Sequence, residues 1–134
     1  MEASDQDDQP AILTFDGGIP GFGDHRGFAL ADLTDDGTFQ ELVCIEDRGL
    51  SLVVASPWLF FPGYAPDLPE HDREVLGIED PAEAALFCAV VVEDEGLAMN
   101  LRAPFVANAR THRARQVVLT EGDLPLRAPL PTAD

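Results

Sequence analysis

Proline and glycine, eleven of each among 134 residues, set the upper length of every regular element in this chain. Proline has no N–H to give to a ladder, and glycine is the costliest residue to order in a helix or strand. Between them the apolar residues fall into short runs: AILTF (11–15), HRGFALADL (25–33), TFQELVCIED (38–47), LSLVVAS (50–56), ALFCAVVVED (85–94) and RQVVLTE (115–121). DGGIPGFG (16–23), TDDG (34–37), RG (48–49) and EDEG (93–96) separate them as turns. Short apolar runs bounded by Gly, Pro and Asp spell strands and hairpins. Residues 85–94 read as a buried strand, and LPLRAPL (124–130) reads as an edge strand because of its prolines. The best helix is PEHDREVLGI (69–78), with Pro at its start, acids in its first turn and Gly77 at its end; PAEAA (81–85) adds a helical turn.

This pattern predicts an all-β fold, a compact antiparallel barrel-like or sandwich-like single domain with one or two short helices. Residues 1–10 read as a disordered acidic tail, 11–130 as the domain and 131–134 as a C-terminal tail. A chain of this length buries a core without staples. Cys44 and Cys88 sit inside apolar runs and read as reduced packing residues. No run approaches the length of a membrane helix, and the acidic N-terminus lacks the basic start of a secretory signal, so the expectation is a cytoplasmic protein.

Charge narrows the function. Eight basic residues, all Arg, face 25 acidic ones, a net charge of −17. Residues 1–100 carry three Arg against 22 acids, a net of −19, whereas residues 101–134 carry five Arg against three acids, a net of +2. Phosphate binding needs cationic side chains, so direct nucleic-acid binding is disfavoured. A basic protein partner is favoured instead, since an acidic field steers such partners in. The absence of Lys removes P-loop and Schiff-base chemistry.

No catalytic constellation emerges. Ser4, Ser51 and Ser56 stand outside any G-x-S-x-G elbow, and the two cysteines lack electropositive neighbours. His71–Asp72 has the look of a phosphohydrolase pair without its further ligands, and His25, His71 and His112 are not at zinc-site spacing. TDDGTFQE is shorter than a calcium loop. The reading is therefore a non-enzymatic protein with no cofactor and no metal site. The competing readings are an acidic, nucleic-acid-mimicking binding module and a small metal-dependent hydrolase built on Asp16, Asp24 and His25.

Two segments look made for recognition. PWLFFPGYAPDLP (57–69) holds Trp58, Phe60, Phe61 and Tyr64 among four prolines, either as an exposed anchor or as rings plugging one end of the fold. MNLRAPFVAN (99–108) sets Asn100, Arg102 and Pro104 inside an apolar run, which predicts two strands joined by a corner at 102–104. Asn100 and Asn108 are suited to tying the backbone of that corner.

Four ordered motifs resemble the FliW family of flagellar assembly factors: ILTFDGGIPGF (12–22), SPWLFFPGY (56–64), MNLRAPFVAN (99–108) and RQVVL (115–119). The resemblance covers roughly residues 11–130. It implies a compact β-barrel-like domain and a regulator with two protein partners, the translational repressor CsrA and flagellin. Bound to CsrA, such a protein relieves repression of flagellin translation; surplus flagellin captures it and restores repression. The expected state is a monomer acting in the manner of a chaperone. The expected contacts are Phe60, Phe61, Pro62 and Tyr64 first, then Asn100, Arg102, Pro104 and Asn108, with Gly18, Pro20 and Gly21 serving turn geometry.

Overall fold

Most of the barrel interior comes from strands, whereas the outer clusters also draw on the helix and loops, as at Tyr64, Leu76 and Val117. The computed structural model describes residues 11–15, 19, 22, 25–94, 96–120 and 124–130. The expected tails at 1–10 and 131–134, the turn residues Gly18, Pro20 and Gly21, and Asp16 and Asp24 lie outside the described residues.

Strands β1 (Ala11–Phe15), β2 (Gly27–Asp32), β3 (Gln40–Cys44) and β4 (Ser51–Ala55) form an antiparallel meander. The turn between β2 and β3 carries the TDDG signal. Asp36 there accepts hydrogen bonds from the Thr38 N–H and the Thr34 hydroxyl, and these, the Thr38 backbone bond foremost, hold its pKa below the usual value. After β4 come a 3-10 turn (Pro57–Leu59), helix α1 (Glu70–Leu76) and a second 3-10 turn (Pro81–Glu83). Pro69 caps α1 at its start, and Gly77 ends it at φ 70°, donating its N–H back to the last turn. The remaining strands are β5 (Ala84–Glu93), β6 (Gly96–Met99), β7 (Phe105–Asn108), β8 (Arg113–Gln116) and β9 (Ala128–Pro129).

The ladder runs β4-β3-β2-β1-β8-β7-β5, and β5 pairs back onto β4, which closes a barrel of seven strands. Strands β6 and β9 extend from the far half of β5 as a flange. All seven barrel strands feed one interior cluster: Leu13 and Phe15, Phe28, Leu42 and Cys44, Val54, Phe87, Phe105 and Ala107, and Ala114. Phe15 meets Phe28 and Phe105 edge-on at 5.6 and 5.8 Å, the favoured aromatic geometry. Two further clusters lie outside the ring. One, including Tyr64, Cys88, Met99 and Leu101, sits beneath the aromatic segment; the other, including Leu76, Val106 and Val117, sits beneath α1.

The all-β barrel with short helices is as the sequence predicts. Three details differ. The pair β1–β8 is parallel, through Thr14↔Arg113 and Phe15↔Ala114, in an otherwise antiparallel sheet. The strand expected over 115–121 is instead Arg113–Gln116. Val117 and Leu119 then donate their N–H groups to the carbonyls of Pro104 and Arg102, outside a regular ladder. The end of β5 is not buried: Val92 is 84% exposed where the strand runs past the barrel into the flange.

Candidate protein-binding site

Backbone geometry shapes the segment 56–64 before any side chain contributes. Pro57 opens a 3-10 turn, and its carbonyl accepts from the N–H groups of both Phe60 and Phe61. The Tyr64 N–H then bonds the Phe61 carbonyl at 2.9 Å, and Trp58 Nε1 donates to the Tyr64 carbonyl at 2.7 Å. The result is a strap in which side chains divide by direction. Tyr64 turns inward and is buried; Phe60 and Phe61 pack half-buried on the outer cluster; Trp58, Leu59 and Pro62 face solvent. Leu59 is 60% exposed and Trp58 43%, a pair of large apolar side chains on one 3-10 turn. Beside the strap runs an open groove of about 520 Å³, whose lining includes Trp58, Tyr64, Leu68, Arg73, Ile78 and Leu86.

The corner at 100–104 is built from polar side chains turned onto backbone. Strands β6 and β7 both pair antiparallel to one edge of β5, through Val90↔Met99 and Phe87↔Phe105. Between those pairs β5 advances three residues and the other strand six, so three extra residues bulge out. Asn100 Oδ1 accepts from the N–H groups of Arg102 and Ala103 at 3.1 and 3.0 Å, an Asx turn that forms the bulge. Arg102 Nε donates to the Leu124 carbonyl at 2.7 Å, and the Leu101 N–H bonds the Pro125 carbonyl, which fastens the C-terminal segment to the corner. Pro104 is fully buried, and its carbonyl accepts from Val117. Asn108 is 1% exposed; its Nδ2 bonds the Leu76 and Gly77 carbonyls and its Oδ1 caps the N–H groups of Arg110 and Thr111.

The structure joins the two segments. The Tyr64 hydroxyl donates to the Leu101 carbonyl at 2.7 Å, so the inward ring of the strap bonds the corner directly. Burial pushes the Cys88 thiol up to about 12, against the lowering effect of the Tyr64 hydroxyl beside it, and burial likewise raises Tyr64. Both groups stay neutral in this pocket at physiological pH. Of the residues expected at an interface, Phe60, Phe61 and Pro62 lie at or near the surface. Asn100, Arg102, Pro104 and Asn108 direct their polar groups to internal backbone. Trp58 and Leu59, the most exposed apolar residues of the strap, are visible in the sequence only as part of PWLFFP. Nothing in that string says which ring faces out.

Of the residues considered for hydrolysis, Asp16 and Asp24 lie outside the described residues, and the described ones serve other contacts. His71 is exposed on α1, and Asp72 lies 3.2 Å from Arg115 Nε, an ion pair that fixes α1 to β8. His25 Nδ1 lies 3.1 Å from Glu46 Oε1 at the surface. Among the described residues no helix is long and apolar enough to cross a membrane.

Fold and strap together define a class: a small closed β-barrel whose motifs serve one another's backbones and leave an aromatic–proline ledge outside. The model of the FliW protein family matches residues 3–130 of this chain. The flagellar assembly factor FliW of Bacillus velezensis is 32% identical over 114 residues, covering 84% of this chain and 80% of that protein. Its counterpart in Bacillus subtilis is 31% identical and covers 89% of this chain and 85% of that one. The crystal structure of a flagellar assembly factor FliW superposes with a TM-score of 0.83 at 31% identity, covering 90% of this chain and 86% of the other. The chain belongs to the FliW family of flagellar assembly factors.

Proposed function

We propose that this protein is a non-enzymatic, cytoplasmic regulator of flagellar assembly that binds CsrA and flagellin alternately. In this reading it frees flagellin translation when it holds CsrA, and surplus flagellin takes it away. One observation carries the reading: an exposed aromatic–proline ledge on a strongly acidic barrel of the FliW family. Trp58, Leu59, Phe60, Phe61 and Pro62 supply the apolar anchor, with Tyr64 holding the strap in place from beneath. The net charge of −17 supplies the long-range attraction to a basic RNA-binding partner and repels phosphate from the complex.

The test separates the two contributions. Leu59→Ala removes an exposed side chain and leaves the strap intact, and Trp58→Ala removes an exposed ring together with its hydrogen bond to the Tyr64 carbonyl. Each is expected to weaken at least one partner by about 2 kcal/mol, roughly thirtyfold, in titration calorimetry with purified CsrA and purified flagellin. CsrA association is expected to slow as salt rises from low to physiological strength and beyond. Unchanged affinity for both partners in both variants sinks the ledge as the interface. An on-rate indifferent to ionic strength sinks the steering role of the charge.

A further inference from the structure

We propose that His25, Cys44 and Glu46 form a zinc site at the end of the β2–β3 ladder opposite its turn. Three donors of different chemistry converge there: an imidazole nitrogen, a thiol sulfur and a carboxylate oxygen, all within 4.8 Å of one another. The antiparallel register brings them together. Phe28 pairs with Cys44, and the Ile45 N–H bonds the Gly27 carbonyl, so the residue preceding β2 by two meets the residues that end and follow β3. Cys44 ends β3, and Glu46 lies two residues on, in the bend that follows it.

The three donor atoms stand close enough for one ion to draw them together. Zinc holds sulfur at about 2.3 Å and nitrogen or oxygen at about 2.0–2.2 Å, which places tetrahedral ligand atoms roughly 3.4–3.8 Å apart. His25 Nδ1 and Glu46 Oε1, 3.1 Å apart, already stand near that separation. A mixed thiolate, imidazole and carboxylate set suits zinc among the common divalent ions. Charge closes as well: one thiolate and one carboxylate neutralise Zn²⁺ with His25 uncharged. The Cys44 thiol is fully buried, while the His25 and Glu46 side chains are 34% and 61% exposed. The ion would sit at the boundary, anchored on the core and open to water at its fourth position. Binding forms the Zn–S bond, and the thiol proton leaves to solvent, so affinity rises with pH.

The experiment uses the full-length chain with Co²⁺ and Zn²⁺ alone as probes. Co²⁺ is expected to bind at one per chain with a thiolate-to-cobalt charge-transfer band in the near ultraviolet, and Zn²⁺ is expected to displace it and to raise the melting temperature. His25→Ala and Glu46→Gln, at positions outside the buried core, are expected to weaken Co²⁺ at least tenfold and to abolish the Zn²⁺ shift. Cys44→Ser is expected to remove the charge-transfer band. Absence of the band in the wild-type chain overturns the site. So does a band whose metal affinity is the same in His25→Ala and Glu46→Gln, because the sulfur would then be acting elsewhere.

Discussion

Asn108 manages four backbone groups with one side chain. Its amide N–H₂ serves the carbonyls that end α1, at 2.8 and 3.4 Å, and its oxygen caps two N–H groups of the turn into β8, at 2.8 and 3.2 Å. A buried carbonyl left without a donor costs about 1–3 kcal/mol, and each lost hydrogen bond about 1 more. Asn108→Ala is therefore expected to destabilise the fold by about 2–4 kcal/mol, seen as a lower denaturant midpoint with an unchanged slope. The sequence already pointed to a tying role for this residue, because Asn in a corner offers a donor and an acceptor together. It could not say that the far partner would be the end of a helix 32 residues earlier. Arg102, anomalous in an apolar run, is explained the same way: its guanidinium serves the carbonyl of Leu124, a partner 22 residues away.

At the scale of elements, α1 shows how local signals succeed. Pro69 and Gly77 bracket it in the sequence and cap it in the structure. Gly77 sits at φ 70°, a conformation that costs an L-residue about 1–2 kcal/mol. A Cβ there would meet only Asn108 Nδ2, at an ordinary 3.8 Å, so the cost of Gly77→Ala is that conformational strain and little else. Its melting temperature is expected to fall by a few degrees, and Gly77→Asn by less, since Asn tolerates the left-handed region. Strands behave differently. The corner at 100–104 was legible because Pro104 forbids a continuous ladder. The end of β8 was not, because RQVVLTE looks like a strand throughout. Tertiary partners decide where the ladder stops: Gln116 still pairs with β7, whereas Val117 answers to Pro104. The strap was legible as an aromatic cluster. Its division into buried Tyr64 and exposed Trp58 and Leu59 depends on a single 3-10 turn that composition does not encode.

For the molecule as a whole, charge is the property most readily read from the sequence and the one that folding least alters. A net charge of −17 on a small barrel repels itself. Screening shortens the reach of that repulsion from about 30 Å at 0.01 M salt to about 3 Å at 1 M. The melting temperature is accordingly expected to rise with sodium chloride over this range; a fall would mean that attractive ion pairs such as Arg115–Asp72 outweigh the repulsion. Partner chemistry is less legible at this scale. Acidity selects for basic partners as a class, and the four ordered motifs select the family. Yet most of those motif residues spend their polar groups inside the fold: 56–64 bonds 99–108 through Tyr64, and 115–119 bonds the same corner through Val117 and Leu119.

The parallel seam between β1 and β8 has a consequence for how the protein is made. Phe15 cannot find Ala114 until nearly a hundred further residues have been synthesised. At about 5–20 residues per second that is a wait of roughly 5–20 s. During it the meander of β1 to β4 can form from neighbours alone, but its outer edge has no partner and the aromatic interior has no lid. Closure thus comes after the meander, because it waits for β8 to be made.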